Sequence, residues 1–293
     1  AYLEKEGYPP LRINSIEKQQ NNEISLPGNI SSQYISALLM IAPCLPLGLT
    51  VSLTTEIFSR PYIQMTLDLM EVFGVTHEWD GNTITIPKQS YHSTSYTIES
   101  DWSGASYWYG FMTFANESSS LRLKGLKEKS TQGDQAIVSI MENLGIQTDF
   151  EAEGVNIRKS LEKEDFIKLD FRNCPDLAQT VMVAAAATNT QLEMTGLESL
   201  KIKETDRIKA MQNELHKIGA RLEEHDNRWT LIPSSSLPSL VEIETYEDHR
   251  MAMAFAPLCQ LMDAIIQDPV VVNKSYPSFW DHVRSVEVTI EEC

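Results

Sequence analysis

The residues with the clearest chemical potential are cations gathered at a few positions of a chain that is otherwise strongly acidic, with 41 Asp and Glu against 24 Lys and Arg and a net charge of −17. The stretch Lys201-Ile202-Lys203-Glu204-Thr205-Asp206-Arg207 is the densest. On a helix over 203–218, Lys203 and Arg207 lie one turn apart on one face, a like-charge pair that costs about 0.2–0.5 kcal/mol. An anion between them reverses the sign, and Glu204 reaches Arg207 at i,i+3. A solvated charged helix start is the plainer alternative. A second cation, Arg250, follows Asp248-His249 at the head of an apolar helix over 251–262. Asp248 is a natural N-cap, but a cation in the first turn opposes the helix dipole, which points to a ligand. The third place, Pro27 to Gln33, puts Ser31 and Ser32 at the start of a helix, where free N–H groups and hydroxyls suit a phosphate; simple serine capping is the commoner use. Lys274, between a strand over 270–272 and a helix at Pro277, reads alone as a solvent lysine, and Asp176 after Pro175 as a first-turn acid. Jointly, four cations and two acids sit at equivalent element edges, an arrangement suited to a phosphate- or carboxylate-bearing substrate between two lobes.

The elements that must position these groups repeat. Three helical patterns end alike, at Gly74, Gly145 and Gly219, 71 and 74 residues apart, a supersecondary period. After each glycine come a short strand, a tight turn (Asp80-Gly81, Glu153-Gly154, Asp226-Asn227) and a second strand. Upstream of each glycine lie a strand, a helix, a strand and the helix that the glycine ends. The unit is thus β-α-β-α-β-β. Copies begin near Glu23, Tyr96 and Phe166, with a shortened fourth near Val241, and residues 1–21 read as the end of a preceding unit. The helices starting near Ser31, Ser103, Pro175 and Asp248 are apolar around most of their circumference, so they are expected inside with the sheets outside.

Composition narrows the function classes. No apolar run reaches the 18 residues of a membrane span, and the first ten residues carry no signal-peptide core. The charge argues against nucleic acid and anionic membranes as partners. Cys44, Cys174, Cys259 and Cys293 form no C-x-x-C pair and the six histidines have no metal spacing, so neither a disulfide framework nor a metal site is expected. The expectation is a cytoplasmic protein.

Several stretches, in order, resemble the 3-phosphoshikimate 1-carboxyvinyltransferase (EPSP synthase) family over essentially the whole chain. They are Tyr2-Leu3-Glu4-Lys5-Glu6-Gly7-Tyr8-Pro9-Pro10-Leu11, the segment from Gly28 to Leu39, Ser59-Arg60-Pro61-Tyr62, Pro175-Asp176, Lys203-Glu204-Thr205-Asp206-Arg207, Asp248-His249-Arg250-Met251-Ala252-Met253, and Lys274. The resemblance implies an α/β fold of two lobes, an inside-out α/β barrel built from β-α-β-α-β-β units and incomplete in this chain. Residues 1–95 would belong to the first lobe and 96–293 would form most of the second, with the site in the cleft.

The resemblance also implies roles. Ser31, Ser32, Ser59 and Lys203 would hold the phosphate of shikimate 3-phosphate, and Gln33 and Tyr62 would lie along its ring, Gln33 also touching phosphoenolpyruvate. Asp176 would bind the sugar-like hydroxyls and take the proton of the attacking 5-hydroxyl. Arg207, Arg250 and Lys274 would clamp phosphoenolpyruvate, with Lys274 among the catalytic groups. Glu204 is the expected acid toward the methylene carbon. No metal or organic cofactor is implied, and a monomer is expected.

Ser199 stands where many members of that family have Asn, a departure at a contact with shikimate 3-phosphate. The family's N-terminal part, which supplies a lysine, a glycine-rich loop and another arginine, has no counterpart here; by the repeat count about two of six units are lacking. One alternative is therefore a fragment that binds substrate or a partner without turnover. Another is the related enolpyruvyl transferase acting on UDP-N-acetylglucosamine, against which K-E-T-D-R and D-H-R-M-A-M argue.

Overall fold

The computed structural model describes residues 3–14, 18–160 and 162–291; Tyr2 of the first matching stretch and Cys293 lie outside them. The chain divides into two compact units. One takes in Ala1–Gly28, Gln33–Ile57 and Thr66–Thr94, the other Asn29–Ser32, Phe58–Met65 and Ser95–Cys293. The first stretch of elements is β1 (Glu23–Leu26), α1 (Ser32–Ile41), β2 (Leu49–Leu53), α2 (Arg60–Val72), β3 (Glu78–Asp80) and β4 (Thr83–Ile86). The sheet order is β1-β2-β4-β3, with β1 parallel to β2 and the other pairs antiparallel. Leu49, Val51 and Leu53 are buried in alternation with half-buried Thr50 and Ser52, the period-two pattern of a sheet with one face on a core.

The second unit continues with α3 (Trp102–Phe114), β5 (Ser120–Lys124), α4 (Ile137–Glu142), β6 (Ile146–Glu151), β7 (Gly154–Lys159), β8 (Phe166–Asp170), α5 (Ala178–Ala187) and β9 (Gln191–Thr195). It closes with α6 (Arg207–Lys217), β10 (Arg221–His225), β11 (Arg228–Ile232), β12 (Leu240–Ile243), α7 (His249–Phe255), β13 (Asp263–Ile266) and α8 (Phe279–Ser285). The sheet β8-β9-β11-β10 repeats the order and strand directions of β1-β2-β4-β3. The repeat glycines Gly74, Gly145 and Gly219 all take φ of 82–84°, the left-handed helix end that costs other residues strain. Asp226 and Asn227 both have positive φ, at 48° and 57°, as a two-residue hairpin turn requires.

Within this unit α3, α5 and α7 pack on one another, and sheets lie against their outer sides. Ala178 through Ala186 are all buried, as are ten of the thirteen residues of α3; the small side chains of α5 let its neighbours approach closely. Trp102, Trp229, Phe255 and Phe279 are fully buried, each contributing about 1.5–3 kcal/mol of hydrophobic stabilisation. Helices inside and sheets outside agree with the inside-out arrangement expected from the helix patterns.

Five expectations need correction. The second copy has no first strand near Tyr96: its sheet is β5-β7-β6, and a single backbone bond, Ser100 N–H to Gly125 O at 3.0 Å, marks where pairing would run. Ile98 is 85% exposed and Tyr96 45%, so that segment covers no core. The helix near Ser31 is not buried all round; α1 buries Ile35 and Leu39 while Tyr34, Met40 and Ile41 stay exposed, so only the one stripe that the i,i+4 pair forms is covered. The 203–218 helix begins at Arg207, after a 3-10 turn over Glu198–Ile202, and the 270–272 strand is a 3-10 turn over Pro269–Lys274. Asp206 caps α6 by accepting from Lys209 N–H, and Pro269 supplies no N–H to a ladder. The helix over 251–262 likewise stops at Phe255 and continues as a 3-10 turn over Ala256–Gln260 that includes Pro257.

Candidate active site

Asp176 is the centre of the site. It lies in the 3-10 turn Pro175–Leu177 that leads into buried α5. Arg207 Nη1 reaches its Oδ1 at 3.0 Å, Arg250 Nη2 its Oδ2 at 2.9 Å, and Lys203 Nζ stands 3.7 Å from Oδ1. Burial, the largest single influence, works against its charge, but Arg250, Lys203 and Arg207 together outweigh it and hold the carboxyl at about 2. The three cations reach it from separate elements: the join before α6, the first residue of α6, and the first turn of α7. Lys203 and Arg207 thus converge through a bend rather than along one helix face.

Arg207 is only 1% exposed, and its fork is filled by acids: Asp248 on Nε at 2.6 Å, Glu204 on Nη2 at 2.7 Å, and Asp176. Asp248 caps α7 by accepting from Arg250 N–H at 2.8 Å while holding Arg207. One carboxylate therefore fixes the origins of two cations. Arg250 Nη1 also reaches Ser103 Oγ at 3.1 Å and Tyr107 Oη at 3.2 Å, both on α3. Burial pushes the Tyr107 hydroxyl up to about 12, so it stays a neutral hydrogen-bonding partner. Next to Arg250, His249 is lowered by burial and then by Arg250.

Asp134 extends the cluster. It accepts from Tyr62 Oη and Ser103 Oγ at 2.5 Å each. Burial first, and then repulsion from Asp176, raises its carboxyl; burial and Asp134 also raise the Tyr62 hydroxyl. The residue before it must be small: a Cβ on Gly133 would stand 2.9 Å from Pro61 Cβ and 3.0 Å from Asn173 O. Ser59, in the left-handed region at φ 55°, donates its N–H to Arg172 O at 2.9 Å, which anchors the 59–62 stretch beside the cluster.

The structure thus brings together Asp176, Lys203, Glu204, Arg207, Arg250 and Tyr62. Ser199 lies on the neighbouring 3-10 turn, with a buried Oγ that has no hydrogen-bond partner. Lys274 is not in the ion cluster; its Nζ binds Glu247 O at 2.6 Å, one residue before Asp248. Ser31 and Ser32 stand half-buried at the start of α1, outside the ion cluster, and Gln33 belongs to the first unit. Sequence reading missed Ser103, Tyr107 and Asp134. The repeat could have flagged Ser103, which opens a buried helix as Asp176 and Arg250 do; for Asp134 only its place in the turn between β5 and α4 gives a hint.

A repeated α/β fold that gathers Lys203, Arg207 and Arg250 with Asp176, Glu204 and Asp248 at the joins and starts of its elements has a dense, largely buried ionic cluster as its candidate site. The particular family follows from comparison. The EPSP synthase (3-phosphoshikimate 1-carboxyvinyltransferase) family model matches residues 1–283. The 3-phosphoshikimate 1-carboxyvinyltransferase of Bacteroides fragilis is 45% identical over 289 residues, 97% of this chain and 70% of that protein. That of Neisseria meningitidis serogroup B is 36% identical, covering 99% and 68%. A solved EPSP synthase from Acinetobacter baumannii superposes with a TM-score of 0.75 at 20% identity, over 100% of this chain and 68% of that one, a likeness of fold. The chain belongs to the EPSP synthase family, a family of transferases, and spans about two thirds of the length of these relatives.

Proposed function

We propose that the protein transfers the enolpyruvyl group of phosphoenolpyruvate to the 5-hydroxyl of shikimate 3-phosphate, with release of phosphate. Family membership supports the reaction. The observation that carries the site is Asp176 held at once by Lys203, Arg207 and Arg250 in a protein of net charge −17. So acidic a surface repels both substrates, and only such a local gathering of cations offsets it.

In this reading Arg207, Arg250 and Lys274 clamp phosphoenolpyruvate, and Lys203, Ser31, Ser32 and Ser59 hold the shikimate phosphate. Tyr62, Gln33 and Ser199 line the ring, with the unpartnered Ser199 Oγ as a ready hydroxyl contact. The acceptor hydroxyl adds to the substituted carbon of phosphoenolpyruvate while the methylene carbon takes a proton from Glu204. Asp176 takes the hydroxyl proton. The adduct then expels phosphate as the new methyl group gives a proton back, which restores the double bond. Each proton-transfer group contributes roughly 10²–10⁴-fold. The cations stabilise the anionic charge that the substrates carry and that redistributes during the reaction.

The depressed Asp176 pKa fits this role once substrates are considered. Anions bound to Arg207, Arg250 and Lys203 offset the positive field at its carboxylate, so its proton affinity rises as the site fills. The proposal includes a cytoplasmic monomer with residues 1–95 and 96–293 in separate lobes, and no helix among the described residues is long and apolar enough to cross a membrane. The test is phosphate release by the full protein from the two substrates. Lys203→Ala and Arg207→Ala should each lower kcat/KM at least about 10²-fold; unchanged kinetics in both removes the assignment.

A further inference from the structure

Residues 244–248 form a strap between β12 and α7, and it is clipped to α6 at two points. At the far end Asp248 grips Arg207, the first residue of α6. At the near end Glu214, seven residues along the same helix, receives Glu244 N–H on Oε2 at 3.1 Å and the Tyr246 hydroxyl on Oε1 at 2.7 Å. The two clips lie two helical turns apart, roughly 10 Å. Glu214 is fully buried, and Lys217 Nζ neutralises it at 2.7 Å while also donating to Glu242 O at 2.9 Å. Asn213 Nδ2 completes the group by donating to the Tyr246 hydroxyl at 3.2 Å.

Between the clips, Tyr246 and Glu247 take φ of 54° and 56°. Two successive side-chain-bearing residues in the left-handed region persist only where their surroundings hold them. This reversal turns the Glu247 carbonyl toward Lys274 Nζ, 2.6 Å away, and the Asp248 carboxylate toward Arg207 and Arg250 N–H. The strap therefore sets the origins of the three cations assigned above to phosphoenolpyruvate.

We propose that Glu214 is a positioning residue for the phosphoenolpyruvate site: its buried carboxylate holds the 244–248 strap in its left-handed conformation and so aligns Lys274, Arg207 and Arg250. The kinetic part of this proposal rests on the reaction proposed above. The geometric part does not.

The experiment uses the full protein carrying Glu214→Ala, Glu214→Gln or Tyr246→Phe. Amide exchange at Asp248 and Arg250 should quicken about ten-fold in Glu214→Ala and less in Tyr246→Phe, with α5 amides unchanged. Acylation of Lys274, measured against exposed Lys209, should rise several-fold on the loss of these bonds. The KM for phosphoenolpyruvate should rise roughly ten-fold while that for shikimate 3-phosphate stays within about two-fold, and Gln, which keeps an acceptor oxygen, should recover part of the loss. Unchanged exchange and labelling overturn the proposal. So does a loosened strap with an unaltered phosphoenolpyruvate KM, or equal damage to both substrates. Should Glu214→Ala fail to fold, Tyr246→Phe, which leaves the Glu214–Lys217 pair intact, decides by the same readings. If the wild type turns over neither substrate, the reaction assigned above fails, while exchange and labelling still decide the role of Glu214 in holding the cations.

Discussion

Asp248 closes on Arg207 with both carboxylate oxygens, Nε to Oδ2 at 2.6 Å and Nη2 to Oδ1 at 3.3 Å, and neither side chain has meaningful access to solvent. A buried pair of this kind is a poor source of net stability but costly to break, because the survivor keeps its charge without its partner.

Asp248→Ala should therefore destabilise the protein by about 3–5 kcal/mol. Asp176 and Glu204 remain on the guanidinium, which favours the low end, while the lost cap of α7 adds about 1 kcal/mol. Asp248→Asn keeps an acceptor and should lose less. Urea unfolding reads both variants; a loss below about 1 kcal/mol for the alanine variant would show that Arg207 does not depend on Asp248.

Asp176 gives the stability a distinct acid limb. Its folded pKa of about 2 lies below the ordinary carboxylate value, so the folded state binds its proton less readily than the unfolded chain. The resulting stabilisation is present above about pH 4 and is lost as the pH falls through about 2; for a shift of this size it amounts to roughly 2 kcal/mol. Urea midpoints measured from pH 5 to pH 2 should fall less steeply for Asp176→Asn than for the wild type. Parallel curves would mean that the three cations do not depress this carboxyl.

Much of this was legible in the sequence, for reasons tied to particular residues. Gly74, Gly145 and Gly219 announced the repeat because a left-handed helix end excludes most other residues, and Asp226-Asn227 announced its hairpin by the same rule. Val181 to Ala187 announced a buried helix because no side of it is polar. The cations were visible as residues out of place in an acidic chain. The join around Lys203 was not legible: Lys, Glu and Arg all favour helix, and only the capping hydrogen bond of Asp206 moves the start of α6 to Arg207. Asp134 and Ser103 stayed hidden because their significance comes from tertiary convergence on Arg250 and Tyr62. The exposed segment at Ile98 has strand-forming residues but no core to cover, and local pattern cannot register that.

Glu204 is tied to Arg207 at 2.7 Å yet is 42% exposed, so it can meet substrate while its direction is fixed. In the proposed reaction Glu204→Gln keeps the size and a hydrogen-bond acceptor but cannot deliver an acidic proton to carbon. Its kcat should fall about 10²–10⁴-fold with KM values little changed. A rise in the phosphoenolpyruvate KM at constant kcat would instead make Glu204 a holder of Arg207.

The repeat glycines can be tested for strain and packing separately at Gly219. Its φ of 82° costs an alanine about 1–2 kcal/mol on conformation alone. An added Cβ would also stand 2.7 Å from Ser234 Oγ, which already donates to Ser236 O and accepts from Ser236 N–H. Gly219→Ala should therefore cost more than the conformational part. In the double variant Gly219→Ala with Ser234→Ala the hydroxyl is gone, and the combined loss should fall short of the two single losses by at least about 0.5 kcal/mol. Simple additivity in urea unfolding would assign the whole effect to the backbone and leave Ser234 no part in requiring glycine there.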